Sequence, residues 1–349
     1  MNMFSLVKDS QTTLSTLLVA IAGAVFGWAL NAPVYMLLGP ALAVTLAGLS
    51  GLRTGIDARL RDLCFLALGI AVGAGFDGNA LAAMMRWPLA FVFMCLIIWA
   101  ILVLCRIMLV RVFDFDPRSA VLAAAPGHLS FVIAIATEGG SDVARISITQ
   151  SVRLLSLTLV VPFIALAMGI EVSGNVAPQG TAMTLPLIAV LIALSAVVGF
   201  LFIRWQVPAP LLLAGMAVSA LGHVTEWTPG VLPAWLILPA YLVLGALIGT
   251  RFSGISLSRL ASGLSAGLAI TLVAVALAGL AAIPVGMALG MPLAHVLVAF
   301  APGGFETMIA MGAVLGVTPG FVAACHIMRL VVLSLLLPAM LSRLKPATS

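Results

Sequence analysis

Charge is what this sequence has least of. Only 8% of its 349 residues are charged, against 63% hydrophobic. A soluble domain needs roughly a quarter of its residues charged to cover itself with a water-compatible surface, so a soluble fold is excluded. Histidine and cysteine are scarce too, with four of each. Cys64, Cys95, Cys105 and Cys325 lie in or beside apolar runs and form no CxxC pair; they read as small core hydrophobes, not disulfides or metal ligands. No His/Cys spacing of metal-site type occurs, so neither a metal nor another cofactor is expected. The net charge of +5 is spread through short loops. With no basic stripe and no helix-turn-helix, nucleic acid is not an expected partner.

What the chain does have is apolar runs of membrane-spanning length. A helix needs about 20 such residues to cross a hydrocarbon core of about 30 Å, and there its backbone groups must bond internally. The expected fold class is therefore all-α and polytopic, with the lipid bilayer as solvent. The first run, 14–30, follows Lys8 and contains Ala20-Ile21-Ala22, which resembles a signal-peptide cleavage site. The apolar stretch before Ala20 is too short for that, and the run has an internal counterpart, so it reads as a retained helix. Trp28, Trp87, Trp205 and Trp227 stand near helix ends, where interface anchors belong.

That counterpart belongs to a duplication. Sliding the chain along itself until Gly23 meets Gly199 also brings Gly39 onto Gly215, Leu68-Gly69 onto Leu244-Gly245 and Gly78 onto Gly254, without a gap. Ala125-Pro126-Gly127 falls on Ala301-Pro302-Gly303, and Arg153-Leu154 on Arg329-Leu330. Leucine matches are cheap in this composition; Pro-Gly and an intramembrane arginine are not. The expected organisation is a membrane repeat at 12–172, a linker at 173–187 and a second repeat at 188–347. Each half holds six apolar segments. Arg53, Arg59 and Arg61 precede the third segment of the first half, but Arg251 and Arg259 follow the third of the second. Since cytoplasmic loops carry the positive charge, one half is inverted, which requires an odd number of crossings. The fifth segment, broken in both halves by Ala-Pro-Gly, is the one that fails to cross. Two inverted-topology repeats follow, each of about five transmembrane helices plus one re-entrant or broken helix. Only Arg86 contradicts the resulting placement, apart from the two intramembrane arginines.

These motifs resemble the AbrB-type bacterial integral membrane family, whose members have a duplicated membrane domain. The residues that carry the likeness are Leu38-Gly39-Pro40, Ala125-Pro126-Gly127 and Ala301-Pro302-Gly303-Gly304, and it covers essentially the whole chain. The resemblance implies labels ranging from regulator of gene expression to ammonia monooxygenase, with no residue signature attached to either. It implies nothing about the soluble DNA-binding regulators of the same name.

Broken helices at equivalent places in inverted halves point to a midplane binding site. The candidate substrate-binding residues are Pro126, Gly127, His128, Ser130, Gln150 and Arg153 in the first half. In the second they are Pro302, Gly303, Gly304, Glu306, Thr307, His326 and Arg329. Arginine at bilayer depth costs at least about 2.5–3.5 kcal/mol, so Arg153 and Arg329 face protein. They either bind a small oxyanion or bond the carbonyls freed by the break. Glu306 reads equally as a proton carrier and as a salt-bridge partner of Arg329. His128 and His326 could contact substrate or satisfy helix contacts. Gln150 and His326 occupy matching positions one turn before the arginines. Ser130 and Thr307 suit capping of the broken helices. His223 and His295, near helix ends, read as structural. The pairs Gly69/Gly73 and Gly245/Gly249 read as close helix packing.

The expectation is a non-enzymatic secondary transporter or exporter of a small anionic metabolite, open to proton coupling, in the bacterial inner membrane with both termini cytoplasmic. A membrane-bound small-molecule sensor acting on gene expression through a partner is the alternative. A monooxygenase subunit is more remote, since copper or iron would need a His/carboxylate cluster. Small-residue faces suit internal packing and a homodimer alike.

Overall fold

The computed structural model describes residues 3–76, 85, 87–127, 129–169, 180–342 and 344. Gly78, Arg86, His128, Arg343, Lys345 and positions 173–179 of the expected linker lie outside the described residues. The chain is all-α, with fourteen helices among the described residues. They are α1 (Met3–Ala29), α2 (Tyr35–Leu49), α3 (Ala58–Gly73), α4 (Pro88–Val112), α5 (Pro117–Ala124), α6 (Leu129–Glu138) and α7 (Val143–Ala167). The second seven are α8 (Leu185–Arg204), α9 (Pro210–Val224), α10 (Ala234–Thr250), α11 (Leu257–Leu289), α12 (Leu293–Phe300), α13 (Phe305–Val314) and α14 (Pro319–Leu341). The offset that carries Gly23 onto Gly199 carries both ends of α5 onto those of α12, and both ends of α6 onto those of α13.

Six helices, α1, α4, α7, α8, α11 and α14, are long and apolar enough to cross a membrane, and the protein is a helical membrane protein. Three shorter apolar helices, α2, α9 and α10, and α3, which starts on charged residues, have 15 to 17 residues. At 1.5 Å per residue they reach roughly 22–26 Å.

The chain forms two compact units, and each takes parts of both sequence halves. The first comprises 1–84, 162–255 and 309–320, and so contains α1–α3 and α8–α10. In it α2 packs on α10 and α3 on α9, while α1 lies on α2 and α8 on α9. Glycines make these approaches possible. A methyl on Gly73 would meet Met216 O at 2.5 Å, and one on Gly249 would meet Val44 Cβ at 2.7 Å; Gly69 and Gly245 abut Leu212 O and Leu37 O. The GxxxG pairs are packing faces, as the spacing suggests.

These contacts also give the helix directions. Gly69 faces Leu212 and Gly73 faces Met216, so α3 and α9 run parallel. Gly27 faces Tyr35 and Gly23 faces Gly39 and Ala43, so α1 and α2 are antiparallel. The N–H of Asp57, which caps α3, donates to Thr13 Oγ1 near the start of α1. Helix α3 therefore begins at the level where α2 ends and runs against it. Helix α9, the counterpart of α2, is thus antiparallel to α2.

The second unit comprises 85–161, 256–308 and 321–349 and repeats the inversion independently. The Arg145 guanidinium donates to the carbonyls of Asp114 (3.1 Å) and Phe113 and stacks over the Phe115 ring. Helix α7 therefore starts where α4 ends. Gly263 faces Ile148 and Gly267 faces Val152, so α11 runs parallel to α7 and against its own counterpart, α4.

One expectation fails here. Trp87 is buried, with its ring edge-to-face on Phe321 at 5.5 Å, whereas Trp28, Trp205 and Trp227 are exposed. An indole beside a helix start is drawn into protein when a packed helix offers an aromatic partner.

Candidate functional site: two broken helices and their arginines

Helix α5 starts on a strong signal. Asp116 accepts from the N–H groups of Arg118 and Ser119, with Pro117 at the first helical position. It stops after eight residues because Pro126 forces Ala125 into an extended conformation (φ −61°, ψ 116°). Pro302 does the same to Ala301 (φ −56°, ψ 127°) after α12. At 1.5 Å per residue an eight-residue helix reaches only about 12 Å inward, near the middle of the hydrocarbon core.

The chain then turns back. A methyl on Gly139, just beyond α6, would lie 3.0 Å from Nη2 of Arg118 at the start of α5. The N–H of Asp142 donates to Ser119 Oγ at 3.1 Å. Entry and exit therefore share one level, and α5–α6 is a re-entrant hairpin. Its tip touches the other half: a methyl on Gly127 would meet Leu333 Cδ1 of α14 at 2.9 Å. Reciprocally, one on Gly304 would meet Leu154 Cδ2 of α7 at 3.7 Å.

Each break leaves carbonyls at the C-terminus of a half-helix, where the dipole is negative. Arginines answer them. Arg153 Nη2 donates to Ala125 O at 3.0 Å, and Nη1 lies 3.4 and 3.5 Å from the carbonyls of Ala124 and Ala123. Arg329 Nη1 donates to Ala301 O at 3.1 Å and Nη2 to Gly303 O at 2.9 Å. Both side chains are buried, and in both Nε–H has no partner among the described residues. The two guanidinium charges lie within electrostatic reach of each other. Glu306, half-buried in the first turn of α13, forms no salt bridge with Arg329, and neither arginine has a carboxylate partner among the described residues. Of the two readings of the arginines, the carbonyl bond is made, and it leaves donors over.

One turn earlier, Gln150 Nε2 donates to Leu122 O at 2.7 Å, and His326 Nδ1 is 2.9 Å from Val322 O. The second atoms of these side chains, Oε1 and Nε2, are buried and have no partner among the described residues. The His326 ring stands 6.3 Å from Phe305 at the foot of α13. Pro126, Pro302 and Gly303 are buried at the tips, and Thr307 is buried beside Gly304. His128 lies outside the described residues, as does the side chain of Ser130. Thr149 Oγ1, buried and unpartnered beside Gln150, was not anticipated. An isolated threonine in an apolar run carries no signal of its own. The His223 ring lies between two carbonyls, with Nδ1 2.7 Å from Ser219 O and Nε2 2.9 Å from Gly230 O, and its single N–H in the neutral form donates to one of them.

The sequence model described as transition state regulatory protein AbrB matches residues 36–345, most of the chain. The chain belongs to the AbrB family. Among its relatives, "Uncharacterized protein YhjN" of Bacillus subtilis (strain 168) is 27% identical over 304 residues, 82% of this chain and 79% of that protein. "Putative regulator AbrB" of Escherichia coli (strain K12) is 33% identical over 156 residues, 44% of each chain. Neither name is that of an enzyme. The AbrB match spans both broken helices and both arginines.

Proposed function

We propose that this AbrB-family protein is a secondary transporter or exporter of small organic anions, in the inner membrane with both termini cytoplasmic. The reading is carried by one observation: two equivalent buried guanidinium groups at the tips of two half-helices, with no carboxylate neutralising them among the described residues. Charge left uncompensated at bilayer depth is costly, and an anion relieves it. The arginine donors are complementary to a carboxylate. Inverted halves meeting at such tips suit alternating access, in which the site opens first to one side and then to the other. Glu306, beside the second tip, is the candidate proton carrier.

The test is uptake of radiolabelled organic acids by proteoliposomes holding the purified protein, beside an Arg153→Ala, Arg329→Ala variant. Saturable uptake or counterflow by wild type, lost in the variant, supports the reading. The name of the Escherichia coli relative favours a second one, a ligand-binding membrane regulator. Binding of an anion without transport in the same vesicles would select it.

A further inference from the structure

We propose that the preferred ligand of the paired-arginine site is a small hydroxy acid, a carboxylate that also brings a hydrogen-bond donor, received by Gln150 Oε1 and His326 Nε2. This rests on the anion reading above and narrows it.

Both assignments follow from what a carbonyl can do. Leu122 O only accepts, so the Gln150 atom 2.7 Å from it is the amide nitrogen, and the atom left over is the oxygen. Val322 O likewise only accepts, so His326 Nδ1 carries the proton, and Nε2 of the neutral ring is a bare lone pair. An amide and an imidazole, at equivalent places in the two halves, thus end in the same role: a buried acceptor with no donor among the described residues.

The donors beside them are equally matched. One turn along each helix, Arg153 Nε–H and Arg329 Nε–H are buried and have no partner among the described residues. Each half of the site therefore offers an arginine Nε–H as donor and one acceptor, and the first half adds the hydroxyl of Thr149. A plain carboxylate has only acceptors; it answers the arginines and leaves Gln150 and His326 facing lone pairs. A hydroxyl next to the carboxylate supplies the missing proton. An ammonium group would supply it too, but beside two guanidinium charges it is repelled, which favours hydroxy acids over amino acids. A site built to bond a hydroxyl discriminates against the analogue that lacks it, because a buried group is then left unmet.

The experiment uses the full chain in detergent and matched ligands: lactate against propionate, malate against succinate, and alanine as the ammonium analogue. The readout is the concentration giving half-maximal thermal stabilisation. The hydroxy acid is expected to act at a concentration about tenfold or more below its deoxy partner, and alanine to be the weakest of the three-carbon ligands. His326→Gln, which gives the second half the chemistry of the first, keeps that ratio. Gln150→Leu with His326→Leu brings it towards one. A wild-type ratio near one overturns the inference while leaving the anion site standing. A ratio unchanged in the double leucine variant overturns the assignment to these two atoms. If no acid of either kind stabilises wild type, the anion reading falls and takes the inference with it. Should the leucine variant not fold, the wild-type ratio and His326→Gln still decide.

Discussion

Arg329 does on α14 what Arg153 does on α7, its counterpart in the first half: each guanidinium closes the carbonyl end of a half-helix that stops at Ala-Pro-Gly. The correspondence extends to the leftover donor, Nε–H in both. Two jobs are therefore combined in one side chain. The fork holds the tip of the re-entrant segment, and the remaining positive charge gives the tip its electrostatic character.

Removing the fork separates the two. Arg329→Met leaves Gly303 O buried and unmet, while Ala301 O keeps the N–H of Gly303 at 2.8 Å, so a loss of about 1–3 kcal/mol in resistance to SDS or heat is expected. Arg329→Lys restores the charge but not the planar two-point grip. It should recover less than half of that stability while keeping measurable anion-dependent stabilisation. Equal stability of the methionine variant and wild type would show that the carbonyls are satisfied without the arginine.

Helix approach in the first unit predicts a contrast between two glycines. A methyl on Gly69 would press on the backbone of α9, with Leu212 C at 2.9 Å and Met216 N at 3.0 Å. Overpacking of this kind costs about 1–3 kcal/mol, so Gly69→Ala should lower the melting temperature and folded yield. At Gly279, in the middle of α11, the nearest atom would be Leu297 Cδ1 at 3.9 Å. Gly279→Ala should be neutral or stabilising by up to about 1 kcal/mol, the helix-propensity gain. Fluorescence-detected size-exclusion thermostability on both variants checks the pair.

The re-entrant hairpin makes a topological prediction. Asp116 precedes α5 and Glu138 ends α6; both are exposed. In a variant lacking the four native cysteines, Asp116→Cys and Glu138→Cys should react with an impermeant maleimide from the same side of the membrane. Gly180→Cys should react from the opposite, external side. Labelling of positions 116 and 138 from opposite faces would mean that the segment crosses.

Much of this was legible in the sequence. The constant offset between the halves, the break at Pro126 and Pro302 and the inverted charge pattern all rest on residues that act locally: proline on the residue before it, arginine on the side of the membrane it occupies. Close packing at Gly69 and Gly245 was legible because glycine spacing has few other uses in lipid. What could not be read were the partners. Nothing local distinguishes an arginine that bonds Ala301 O from one that pairs with Glu306, a few positions into the returning arm of the same broken segment. The allocation of matching segments to two spatial units was hidden too, since the repeat is blind to which copies pack together. Trp87 was misplaced for the same reason: its partner, Phe321, belongs to the other half of the chain.

His223 gives a prediction outside the site. Its two ring nitrogens face the carbonyls of Ser219 and Gly230, and with the proton on Nε2 the ring ties the end of α9 to the loop that follows it. Val231, next in that loop, bonds Thr181 and Met183 through the backbone. Cutting the tie should loosen the loop without touching the arginines. His223→Ala is expected to cost about 1–3 kcal/mol and to speed amide exchange at 225–233. Ligand-dependent stabilisation should stay as in wild type. Loss of that stabilisation would mean that the loop belongs to the binding machinery.

Glu306 has the last and sharpest charge consequence. Two guanidinium groups and one carboxylate leave the neighbourhood of the tips with a single net positive charge when all are ionised. A monoanion then brings it to neutrality, and a dianion overshoots. Glu306→Gln removes the negative charge from the first turn of α13 and leaves both positive charges, which a dianion matches. The ratio of succinate to propionate affinity should therefore rise, by about tenfold if the carboxylate interacts with the ligand at an effective dielectric near 20 over roughly 10 Å. Competition by the two acids against a labelled substrate in proteoliposomes measures that ratio directly. A raised ratio would place Glu306 in the electrostatics of the site. An unchanged ratio would mean that its half-exposed carboxylate faces away from the ligand and serves only the positive end of the α13 dipole.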